Sequence, residues 1–182
     1  SHILLGSNPF LPVIAAVRAL AGVKSCNGIR NNTMETDKNG LDPKSIWLVV
    51  DGGIKEEIAE AIYKHIHTPD TKGSIEVDVK TSVEGKTEKI RFDRPIDVLV
   101  DYKLTIESPD EVAIRELLKE YINNAGLGVK LSTGVFISDW VCGKGYKYYD
   151  FDLKFKRSTE NEYKTSLQLA FNERSKANGE WG

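Results

Sequence analysis

Apolar residues return every three or four positions near the start of the chain, at Val13, Ile14, Val17, Leu20 and Ala21, and this spacing predicts a helix over about Pro9–Ala21. Asn8 is placed to cap it, Pro9 and Pro12 are tolerated in a first turn, and Gly22 follows as a stop. Val23–Asn32 reads as a strand. The polar stretch Glu35–Lys44, with its Asn39-Gly40 turn pair, reads as a long loop or a hairpin tip. Ser45–Val50 is a near-continuous apolar run, the pattern of a strand buried on both faces. Asp51-Gly52-Gly53 then turns the chain into a predicted helix over Ile54–His67, with Ile58, Ala61, Ile62 and Ile66 on one side and charges on the other. Ile75, Val77 and Val79 alternate with Glu76, Asp78 and Lys80, so Ser74–Thr81 begins a β-hairpin that turns at Glu84-Gly85 and returns over Glu88–Phe92.

Arg94-Pro95 interrupts the pattern, and a long alternating strand follows over Ile96–Ile106. Ser108-Pro109-Asp110-Glu111 predicts a capping box with proline at the first helical position. The helix continues to about Asn124, with Ile114, Leu117, Leu118, Tyr121 and Ile122 inward and Gly126 as its C-cap. Gly128–Trp140 fits either a strand or a short helix. Tyr146–Lys156 and Thr165–Phe171 alternate again and are expected to pair antiparallel across a polar turn at Ser158–Glu162. From Asn172 the chain is polar and is expected to fray. The resulting fold class is α+β, in two small units of helix on mostly antiparallel sheet, residues 1–94 and 95–182.

Composition narrows the function more by exclusion than by suggestion. Lys plus Arg total 25 and Asp plus Glu 27, so the formal charge is −2, and no basic excess points to a nucleic acid. No run of 18 apolar residues is present to make a spanning helix. The start lacks the basic and apolar regions of a signal peptide. Ser1 is not an initiator methionine and Ser1-His2 resembles a cloning scar, so the chain reads as a piece cut from a longer protein. Two cysteines, Cys26 and Cys142, do not make a disulfide framework and are expected to be small, mostly buried thiols.

Each candidate site has an architectural reading beside its chemical one. Asp51-Gly52-Gly53 precedes a helix whose N-terminus could hold a phosphate, but it matches no phosphate-loop pattern and reads better as a tight turn. His65, His67 and Asp70 could be imagined as metal ligands, yet residues two apart on a helix diverge, and the histidines suit the negative helix end. Trp140, Tyr146, Tyr148 and Tyr149, interleaved with Lys144, Lys147, Lys154 and Lys156, suggest a stacking platform for a sugar or another ligand. Alternation would instead bury Tyr149, Phe151 and Phe155 and leave Tyr146 and Tyr148 on the other face. No nucleophile motif is visible, and the pairs Glu56-Glu57 and Asp110-Glu111 lie in helix first turns, where they favour the dipole. No residue is selected as catalytic, cofactor-binding or metal-ligating.

The segment Ala16–Pro95 resembles the baseplate J-like family of contractile phage tails. Ala21-Gly22-Val23 matches the family's "GV" after an Ala-rich helix, and Asn31-Asn32-Thr33 its N-x-T stretch, followed by Asp37 and Gly40. Ser45–Gly53 matches the strand ending in "V-x-G-G", and Glu57-Ile58-Ala59 with Ala61-Ile62-Tyr63 its "E-I-A-x-A-I" helix. Gly73, Phe92 and Arg94-Pro95 match the hairpin and its "F-x-R-P" exit. Lys44 departs from the pattern, where histidine is common, and so does Thr68-Pro69, where glycine often follows the helix. The second half fits more loosely. The resemblance implies a middle-to-C-terminal part of a baseplate wedge protein: a structural, non-enzymatic component with no cofactor, made in the bacterial host cytoplasm and then carried in the virion tail. Its implied partners are other baseplate or tail proteins, with homo-oligomerisation of the full-length protein compatible, and neither nucleic acid nor membrane. The alternative is a ligand- or sugar-binding module using the aromatics from Trp140 to Tyr149.

Overall fold

The computed structural model describes residues 10–66 and 70–179. Its contacts divide the chain into two units, Ser1–Pro95 and Ile96–Gly182. Both are α+β, with helices packed on small, mostly antiparallel sheets.

In the first unit, helix α1 (Phe10–Arg18) is followed by strands β1 (Val23–Arg30) and β2 (Ile46–Gly52). They pair antiparallel from Val23↔Gly52 to Arg30↔Ile46, with a bulge near Lys24. The polar stretch between them is the long tip of this hairpin, closed by Lys44 N–H donating to Asn31 O at 2.9 Å and Asn31 N–H to Ser45 O at 3.0 Å. Helix α2 (Lys55–His65) carries Glu56 and Glu57 in its first turn and buries Ile58, Ala59 and Ile62. The short β3 (Thr71–Lys72) lies parallel to β2, and β4 (Ile75–Lys80) pairs with β5 (Thr87–Phe92) in the expected hairpin. A single parallel bridge, Val49↔Asp93, joins the hairpin exit to β2. Val13 and Val17 of α1, Leu48 and Val50 of β2, Ile58 and Ile62 of α2, and Ile90 and Phe92 of β5 share one core. Asn8, Pro9, His67, Thr68 and Pro69 lie outside the described residues.

The second unit is organised by β6 (Ile96–Glu107), flanked by β8 (Asp150–Arg157) antiparallel and β10 (Glu173–Ala177) parallel. Helix α3 (Glu111–Asn123) covers the core face with Ile114, Leu117, Leu118, Tyr121 and Ile122 buried, as its periodicity predicts. The ambiguous Gly128–Trp140 stretch is both things in turn. Strand β7 (Lys130–Ser132) leads into a single α-turn, Thr133–Val135, then a π-helical stretch, Phe136–Val141, and a 3-10 turn, Cys142–Lys144.

Three expectations are corrected here. The strand after the Ser158 turn does not pair along β8: one bridge, Phe155↔Lys164, closes the turn, and β9 (Ser166–Gln168) pairs with β7 instead. The eight-residue ladder with β6 takes one edge of β8, and Leu167 and Leu169 are drawn into the core beside Leu131. The polar C-terminal stretch is not frayed through residue 177. Ser175 is 2% exposed and its hydroxyl donates to Ile122 O at 2.5 Å, while Arg174 meets Asp97 and Arg157 clasps Glu173. The predicted capping box is also absent. Ser108 Oγ accepts from Asp110 N–H at 2.8 Å and donates to Lys147 O, and Glu111 pairs forward with Arg115 rather than backward. Helix α3 therefore starts after Pro109-Asp110, which form a turn.

Candidate functional site

Arg94, Asp93 and the Gly52-Gly53 pair come together at the end of β2. Arg94 donates from Nη1 to Val50 O (3.1 Å) and Gly52 O (2.6 Å), and from Nη2 to Gly53 O (3.0 Å). Its neighbour Asp93 accepts from Trp47 Nε1 at 2.7 Å and from Ser74 N at 2.9 Å and Ser74 Oγ at 2.5 Å. Asp93 also carries the backbone bridge, donating to Leu48 O and accepting from Val50 N at 2.9 Å each. Partial burial works against the Asp93 charge. The Ser74 and Trp47 hydrogen bonds and the nearby Lys72 ammonium outweigh it and hold the carboxyl below its ordinary value. One dipeptide thus clasps the buried strand, the glycine turn and the start of the hairpin. Asp93 occupies the unspecified place in the "F-x-R-P" exit, and nothing local in the sequence marks it.

Two glycines in this region are set by close approach. Gly52 has φ +82°, and a Cβ there would meet Gly22 O at 2.2 Å. At Gly73 a Cβ would meet the Phe92 backbone at 2.3 Å. The Asp51-Gly52-Gly53 turn is therefore architectural, with the carbonyls of both glycines occupied by Arg94.

The hairpin tip is organised by Asn31, Thr33 and Asp37. Asn31 is buried; its Nδ2 donates to Glu35 O at 2.7 Å and Leu41 O at 2.8 Å, and its Oδ1 accepts from Thr33 N at 2.9 Å. Asp37 Oδ1 accepts from Asn39 N at 2.8 Å and Leu41 N at 3.0 Å. These side chains replace the backbone ladder that the 15-residue polar connection, residues 31–45, lacks.

No family model matches the chain, and no curated protein matches it.

The other sequence candidates disperse. His65 lies in the last turn of α2 with Nδ1 at 2.9 Å from Ala61 O, beside a groove of about 300 Å³ between α1 and α2. Among the described residues no group of three or more His, Cys, Asp or Glu is placed to hold a metal ion, and no helix is long and apolar enough to cross a membrane. Cys26 is buried, and burial pushes its thiol up to about 11 despite the opposing pull of Arg18, whose guanidinium binds Cys26 O. Cys142 is exposed, which corrects the expectation of two buried thiols. Its 3-10 turn lies at the end of a helical stretch whose buried side is occupied by Phe136 and Val141.

The aromatic set is split between the core and the surface. Trp140 packs edge-on against Tyr121 at 5.2 Å, and Tyr146 is partly buried against the same core. Tyr148 meets Phe151 edge-on at 5.3 Å. Tyr149 is 75% exposed, contrary to the alternation that placed it inward beside Phe151. The ladder with β6 ends at Glu107↔Asp150, so Tyr149 lies past the last paired row, with its N–H donating to Glu107 O at 2.8 Å.

Proposed function

We propose that the chain is a structural component of a phage or prophage contractile-tail baseplate, acting through protein–protein contacts in wedge assembly. The observation that supports this reading is the role of the motif residues. Asn31, Asp37 and Arg94 bind main-chain groups of the first unit, and Gly52 and Gly73 permit close backbone approach there. Residues spent on scaffold geometry suit a family of assembly parts. The second reading, a ligand- or sugar-binding module, would rest on Tyr148 and Tyr149, the two rings of the set that are exposed.

The test is association in a producing cell. The tagged chain, expressed in its native full-length context during prophage induction, is expected to co-sediment with sheath and tube proteins in the particle fraction. Recovery as a free protein, apart from every tail component, would sink the proposal. Tryptophan fluorescence shifting on addition of host glycans would favour the second reading.

A further inference from the structure

Two like-charged pairs lie on the outward face of the β6–β8 ladder. The outward residues are Lys103, Thr105 and Glu107 on β6 and Asp150, Asp152 and Lys154 on β8, all exposed. The register sets Glu107 opposite Asp150 and Lys103 opposite Lys154, with Thr105 opposite Asp152 between them. Like charges directly opposed on antiparallel strands destabilise the pair, whereas the same residue types in crossed order would attract. Other charges of this sheet show the contrast. Lys156 pairs with Asp101 at 2.9 Å, Arg157 with Glu173 at 2.8 Å and Arg174 with Asp97 at 2.5 Å. Among the described residues Lys103 and Lys154 meet no carboxylate at ion-pair distance; Lys103 lies over the Tyr163 ring instead, 4.3 Å from its centre. A shallow depression of about 220 Å³ opens between these side chains.

We propose that this face docks an extended segment of a partner protein with the inverse charge order, its carboxylates over Lys103 and Lys154 and its lysine or arginine over Glu107 and Asp150. Four residues of strand separate the two rows, so they stand roughly 13 Å apart at about 3.3 Å per residue. An extended peptide with opposite charges four positions apart matches that spacing. A nucleic acid, negative along its whole length, would meet the lysines and be repelled by Glu107 and Asp150. The mutual repulsion in the unbound face is offset when the partner supplies the missing counter-charges. Binding faces commonly retain residues that are suboptimal for stability. The proposal names a contact surface for the assembly reading, and its test is independent of tail particles.

The probe is a fluorescein-labelled, threonine-rich peptide carrying two glutamates and, four positions on, two lysines. Its binding to the full chain is followed by anisotropy at low salt. The variant Lys103→Glu/Lys154→Glu is expected to weaken binding by about tenfold or more, as is physiological salt. The fourfold exchange Lys103→Glu/Lys154→Glu/Glu107→Lys/Asp150→Lys restores the charge order in the opposite direction, so the peptide is expected to rebind reversed. Lys103→Glu alone is expected to raise the thermal midpoint, because it faces Lys154. Unchanged binding in the double variant, no recovery in the fourfold exchange, or equal binding of an all-glutamate peptide would each overturn the proposal. So would a concentration-dependent dimer of the chain that the double variant abolishes, since the occupant would then be a second copy.

Discussion

Asp93 and Trp47, 46 residues apart in sequence, are joined by a 2.7 Å hydrogen bond from the indole Nε1–H to the carboxylate Oδ2. The bond spans from the start of the buried strand β2 to the exit of β5, and the same carboxylate holds Ser74 at the start of the hairpin. Three segments that hydrophobic patterning identifies separately are thereby fixed in one arrangement.

Asp93→Ala removes the acceptor for all three donors, Trp47 Nε1, Ser74 N and Ser74 Oγ, and is expected to cost about 1–3 kcal/mol of unfolding free energy. Urea denaturation of the full chain gives the value. Trp47→Phe removes the indole N–H together with the five-membered ring, and in a double-mutant cycle with Asp93→Ala the packing loss cancels, so the cycle is expected to return a coupling of about 1 kcal/mol. Strict additivity would show that the indole and the carboxylate are not energetically joined.

Asp93, Asp101 and Glu173 share a depressed carboxyl pKa. For Asp93 and Asp101 burial opposes ionisation but is outweighed, in Asp101 by Asn178 and Lys156; in Glu173 the Arg157 hydrogen bond leads. A folded-state value below the unfolded one means that fewer protons are bound when folded. The stabilisation is therefore complete above the unfolded value and is lost as pH falls through the folded value. The urea midpoint is expected to hold between about pH 7 and 5 and to drop below about pH 4. A midpoint that rises on acidification would contradict the sign.

Gly52→Ala places a methyl group 2.2 Å from Gly22 O at a left-handed φ of +82°. The backbone penalty alone is of order 1–3 kcal/mol, and the overlap adds to it. Gly143→Ala, with nothing within 4 Å of the added carbon, serves as the control and is expected to fall within about 0.5 kcal/mol of the parent. Equal thermal midpoints for the two variants would refute the close approach of Gly22 to Gly52.

The two thiols are expected to react on separate timescales. Cys142 is exposed, whereas Cys26 is buried with its thiol pushed up to about 11. Thiolate is the reactive form, so an aromatic disulfide reagent at neutral pH should modify one thiol quickly and the second only as the first unit opens. Replacing Cys142 by serine should remove the fast phase; a fast phase that survives would place Cys26 at the surface.

Local pattern was sufficient wherever burial follows a regular period. The α2 and α3 stripes, the alternating β4–β5 hairpin and the doubly buried β2 could all be read from spacing, because 3.6- and 2-residue periods report directly which side meets a core. Pattern failed where a long-range partner decided the outcome. Glu173–Ala177 has no apolar alternation, and it becomes a strand because Asp97, Ile122 and Arg157 meet it from elsewhere in the unit. Tyr149 falls in a bend just before β8, past the last row paired with β6, a boundary that its own neighbours do not encode.

The candidate chemistry divided in the same way. That Asp51-Gly52-Gly53 is a turn and that His65 lies in the final turn of a helix could be argued from residue type and position. That Arg94 closes that turn, that Asp93 joins Trp47 to Ser74, and that Lys103 faces Lys154 depended on strand register. The sequence by itself determined the α+β class and most helices and strands, since those follow from intrachain periodicity. Only the tertiary structure decided which strands pair, which charges oppose and which aromatics are buried, because those depend on residues brought together from distant parts of each unit.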